Sequence, residues 1–115
     1  MSTPMEAPPG LGARGRDLWR AVAGDYELGV HERIILAEAC RTTDLLDKLE
    51  SLVVSNGLTV EGPQGMKANP AVVEVRQQRI TLARLVAALR IPAEAPDAPR
   101  TQRRGTRGVY EVKRA

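Results

Sequence analysis

Between positions 35 and 53, Ile35, Ala39, Thr42, Leu46, Leu49 and Val53 recur at alternating intervals of four and three. That spacing keeps successive side chains on one side of an α-helix. It predicts a long helix over residues 31–55 with a single seam along it. Ile34, Leu36, Leu45 and Leu52 widen the seam. An apolar face broader than one partner helix covers needs a second partner, from the same chain or from a neighbouring copy.

The punctuation on either side sets the rest of the architecture. Upstream, Leu18, Trp19, Val22 and Tyr26 fall at helical spacing and predict a helix over residues 13–25, anchored by Trp19. The run Gly24-Asp25-Tyr26-Glu27-Leu28-Gly29 breaks it. Downstream, Asn56-Gly57 suits a helix C-terminus, because both residues enter the left-handed region cheaply. Leu58-Thr59-Val60-Glu61 then alternates apolar with polar, Gly62-Pro63-Gln64-Gly65 has turn chemistry, and Met66-Lys67-Ala68 can return, as a short β-hairpin or an irregular loop. Asn69-Pro70 pairs an N-cap oxygen with a residue pre-set for the first helical turn, which starts a third helix running to about residue 90. Val72, Val75, Leu82, Leu85, Val86 and Leu89 lie along one side of it, and Pro92 follows its end. A connection of about a dozen residues folds the second and third helices into an antiparallel pair. The expected fold is therefore mainly α: an N-terminal helix plus a long helical hairpin with a β-hairpin or loop at its tip, over residues 11–91.

The flanks read differently. Residues 1–10 carry three prolines without periodicity and are expected to be flexible. Residues 92–115 read as a Pro/Ala linker followed by a disordered basic tail. The formal charge of +3 over 115 residues conceals an asymmetry. Residues 1–99 hold eleven Lys/Arg against thirteen Asp/Glu, whereas residues 100–115 hold six against one.

Chemistry-bearing residues are few. Cys40 is the sole cysteine, which rules out an internal disulfide or a multi-thiolate metal site and reads as a small buried apolar residue. His31 is the sole histidine, at a helix start, where a capping or surface role fits. Glu38, Asp44, Asp47 and Glu50, mixed with Arg41 and Lys48, read as a solvated helix face, with Asp44 and Lys48 at a favourable i,i+4 spacing. No phosphate-binding loop occurs, because the glycine clusters lack a following Lys-Ser/Thr. No cofactor, metal or enzymatic activity is expected. No apolar run approaches the length of a membrane span and the N-terminus lacks a secretory pattern, so an unexported protein with no membrane partner is expected.

Basic residues are the functional class with a pattern. In the tail, Arg100, Arg103, Arg104, Arg107, Lys113 and Arg114 alternate with Gly and Thr, a composition suited to phosphate contact. Arg14, Arg16 and Arg20 cluster on the first helix as further candidates for DNA. On the third helix Arg76, Arg79 and Arg90 share a narrow arc, and Arg79 interrupts the apolar side, where it could pair across a subunit boundary. Candidate oligomer contacts are Ile35, Ala39, Leu46, Leu49, Val53, Val72, Arg79, Leu82 and Val86.

In order, Pro8-Pro9-Gly10-Leu11, Gly15-Arg16-Asp17-Leu18-Trp19, Asp25-Tyr26-Glu27-Leu28, Leu36-Ala37-Glu38-Ala39-Cys40 with Asp44, Asn56-Gly57, Asn69-Pro70-Ala71, Glu74-Val75-Arg76 and Leu85-Val86-Ala87-Ala88-Leu89 resemble the P27-like family of phage small terminase subunits. The likeness covers residues 8–92. The third helix departs from it, with Leu89-Arg90-Ile91-Pro92 where a Leu-Gly-Leu stop is usual. The resemblance implies a homo-oligomeric ring, in the cytoplasm of an infected host, that binds viral double-stranded DNA and brings it to a large subunit bearing the ATPase and nuclease. Two other readings stay open: a phage structural adaptor that does not bind DNA, and a helix-turn-helix transcription regulator.

Overall fold

The computed structural model describes residues 6–92, and the expected disordered basic tail lies outside them. The elements run α1 (Ala13–Asp25), α2 (Val30–Asn56), β1 (Thr59–Gly62), β2 (Gly65–Ala68) and α3 (Pro70–Leu89). The mainly helical class and the helical hairpin are as the periodicity predicts. Between the hairpin's helices the chain resolves into paired strands rather than an irregular loop. β1 and β2 are antiparallel, with Thr59 opposite Ala68 and Gly62 opposite Gly65. Pro63 and Gln64 make the turn, and Gly65 takes a φ of 106° that side chains disfavour.

Local chemistry explains each boundary. Gly29 precedes α2, its amide donates to Glu32 Oε1 at 2.7 Å, and its carbonyl accepts from Arg33 N. Glu32 thereby satisfies one amide at the helix start and places negative charge at the positive end of the dipole. At the far end Gly57, with φ 84°, donates to Val53 O. The expected cap at Asn69 forms and does more. Its Oδ1 accepts from Ala71 N at 3.0 Å, its Nδ2 donates to Gly57 O at 2.8 Å and its amide donates to Leu58 O. One buried side chain thus starts α3 and ties it to the end of α2. α3 stops at Arg90, which adopts a left-handed conformation (φ 55°, ψ 43°) and donates its amide to Ala87 O.

Packing is uneven along the hairpin. At one end α1 lies on the first half of α2, and the return of α3 brings Leu89 to the same place. Leu11, Trp19, Val22, Ala23, Leu36, Cys40 and Leu89 form the core there. Burying Leu36 completely contributes roughly 2–3 kcal/mol. Of the N-terminal stretch expected to be flexible, residues 6–10 are described, and Ala7 packs against this core. At the other end only α2 and α3 face each other, with the β-hairpin exposed beyond them. No helix among the described residues is long and apolar enough to cross a membrane.

Candidate functional site

The joint between α1 and α2 is built on Asp44. Gly12 N donates to its Oδ2 at 2.7 Å and Gly15 N to its Oδ1 at 2.8 Å, so a carboxylate from α2 caps the first turn of α1. Hydrogen bonds to an ionised acceptor are the stronger kind, and an anion suits a helix N-terminus. The approach leaves no room at Gly15, where a Cβ would sit 2.3 Å from Asp44 Oδ2 and 2.9 Å from the backbone oxygen of Cys40. The expected Asp44–Lys48 pairing on a solvated face is therefore corrected: both Asp44 oxygens are committed to backbone amides of another helix. Sequence spacing within α2 carried no sign of this, because the partners lie about thirty positions away. Cys40 is fully buried beneath the joint, as its apolar reading anticipated, and burial together with the Asp44 charge pushes its thiol up to about 11.

The arginines of α1 are engaged inside the chain. Arg14 lies 3.5 Å from Asp47, Arg16 donates to the carbonyl of Leu11, and Arg20 pairs with Asp17 one turn away. All three are exposed, and contacts of this kind are weak enough to be exchanged for phosphate. The six tail cations, Arg100, Arg103, Arg104, Arg107, Lys113 and Arg114, lie outside the described residues. On α3, Arg79 pairs with Glu50 of its own α2 at 2.7 Å and so bridges the two helices of the hairpin.

Much of the apolar seam is engaged within the chain. Ala39 and Leu46 are buried inside the chain, and Ile35 packs against the core. Leu49, Val53, Val72 and Leu82 are half-buried, and only Val86 of the named apolar set is exposed. The seam faces the chain's own α3 because the hairpin folds back on it. Of the residues that widen the seam, Leu36 is buried in the core, whereas Ile34, Leu45 and Leu52 remain outside at 61%, 41% and 48% exposed. Near the tip Val54 is 86% and Leu58 69% exposed, beside an open groove of about 450 Å³ between the end of α2 and the start of α3, rimmed by Glu50, Arg76 and Arg79.

Among the described residues no group of three or more His, Cys, Asp or Glu could hold a metal ion. His31 sits exposed at the second position of α2, and Glu38 pairs with Arg41. No family model, curated protein or solved structure matches this chain.

Proposed function

We propose that this chain is a non-enzymatic, homo-oligomeric DNA-packaging subunit of the small terminase kind. Copies assemble into a ring, bind viral duplex DNA in the host cytoplasm and deliver it to a large ATPase and nuclease subunit. The observation that carries the reading is where the family-like residues fall. Leu11, Gly15, Trp19, Leu36, Cys40 and Asp44 meet in the α1–α2 joint and core, while Gly57 and Asn69 form the latch below the β-hairpin. The ordered likeness therefore coincides with the contacts that this arrangement of helices requires. Aliphatic side chains left outside on α2 support self-association, and the tail, with six cations against one carboxylate, supplies phosphate contacts that repetition around a ring would multiply.

Fluorescence anisotropy with duplex DNA across a salt series tests it. The full chain is expected to bind with an affinity that falls steeply with salt, and removal of residues 100–115 to flatten the log–log slope by up to about five, near 0.9 for each of six phosphates. Equal slopes would take the tail out of the mechanism. Failure to retain duplex DNA at low salt would sink the reading.

A further inference from the structure

On α2, positions 34, 38, 41, 45, 48 and 52 lie within about 80° of one another at 100° per residue. They form a stripe on the side turned away from Ala39, Leu46 and the core. Its residues, Ile34, Glu38, Arg41, Leu45, Lys48 and Leu52, are all exposed. Over about five turns and 27 Å it reads apolar, acidic, basic, apolar, basic, apolar.

This order is complementary to itself when reversed. A second copy of α2 laid antiparallel, with a two-fold axis level with position 43, sets Ile34 against Leu52, Glu38 against Lys48 and Arg41 against Leu45. Each relation then occurs twice, as an isologous contact demands. The apolar residues meet at both ends, and the aliphatic stem of Arg41 covers Leu45 at the centre. The only opposite charges brought face to face are Glu38 and Lys48. The existing Glu38–Arg41 pair, at 2.6 Å with both side chains half exposed, does not compete, because a carboxylate can accept from two cations. A parallel alignment at zero offset sets Glu38 against Glu38, Arg41 against Arg41 and Lys48 against Lys48.

We propose that this stripe is a two-fold interface through which a second copy of the chain docks antiparallel on α2, with Glu38 of each copy facing Lys48 of the other. The proposal rests on the homo-oligomer part of the function proposed above and not on DNA binding. A single helix pair of this length lies at the small end of specific interfaces, so association is reversible and depends on concentration. The contact closes at two copies, and a ring that contains it is built from paired chains.

Sedimentation velocity over a concentration series, on the full chain and on charge-exchanged variants, tests the arrangement. The unsubstituted chain is expected to associate through at least a dimer. Glu38→Lys and Lys48→Glu are each expected to weaken dimerisation by roughly tenfold, since each changes two symmetric pairs from attraction to repulsion. The double variant Glu38→Lys with Lys48→Glu is expected to return it to within about threefold of the original. Leu45→Asp should abolish it, with helical circular dichroism showing that the fold is kept. A double variant no tighter than the single ones, or association unchanged by Leu45→Asp, would overturn the interface while leaving self-association standing. A chain that stays monomeric up to near-millimolar concentration would overturn both.

Discussion

Gly15 and Gly24 occupy the same helix and respond to a methyl group in opposite ways. At Gly24 nothing lies within 4 Å of an added Cβ and the backbone is helical, so Gly24→Ala is expected to raise stability by about 0.5–1 kcal/mol. At Gly15 the same change drives a Cβ into Asp44 and into the Cys40 carbonyl. Separating α1 from α2 breaks two hydrogen bonds to the carboxylate, so a loss of about 2 kcal/mol or more is expected despite the better helix propensity. Urea denaturation of both variants checks the sign. Cys40 gives a pH dependence at this scale. Its thiol is raised from an ordinary value near 9 to about 11 in the folded chain, so between those values the unfolded chain has released a proton that the folded chain retains. Stability is fully present below about pH 9 and falls as pH rises towards 11. A Cys40→Ser variant compared by thermal melts at pH 8 and pH 10.5 should lose less stability on that rise than the unsubstituted chain does; an equal loss would mean that another group dominates. The burial of Cys40 is legible in a linear reading, but the constraint on Gly15 is not, since Gly15 and Asp44 acquire their roles through proximity across about thirty positions.

At the scale of elements, boundaries were the legible part. The helix over 13–25 and the start of α3 at Pro70 follow from residues whose preferences are local: Trp19 at helical spacing, Asn69 before Pro70, Gly57 after Asn56. The sequence of β1 and β2 fits strand and loop equally, because four-residue strands carry too little apolar alternation to be told from irregular chain. The end of α3 is a local misfit. Arg90 takes a left-handed conformation that glycine reaches at no steric cost. Arg90→Gly is therefore expected to stabilise the chain by about 0.5–1 kcal/mol and raise its melting temperature by several degrees, as differential scanning calorimetry would show. A lower melting temperature would mean that the Arg90 side chain makes a contact worth more than the strain.

Across the whole molecule, stability is polarised along the hairpin. Three helices enclose Leu36, Cys40 and Leu89 at one end, whereas the other end is a helix pair carrying exposed strands. Native-state hydrogen exchange is expected to find the slowest amides around residues 36–46 and the fastest secondary-structure amides in β1 and β2, separated by at least about 2 kcal/mol. Uniform protection would contradict a core confined to one end. By itself the sequence determined the helical hairpin, its capped start at Asn69 and a single apolar core, because periodicity, turn preferences and capping act over a few residues. Which apolar residues the chain keeps for itself was decided only by the tertiary structure. Periodicity assigns a residue to a helix face, but what covers that face depends on where the chain returns. The fold-back of α3 covers Ala39 and Leu46 and joins Arg79 to Glu50, and the packing of α1 on α2 brings the amides of Gly12 and Gly15 to Asp44, while Ile34, Leu45 and Leu52 stay outside.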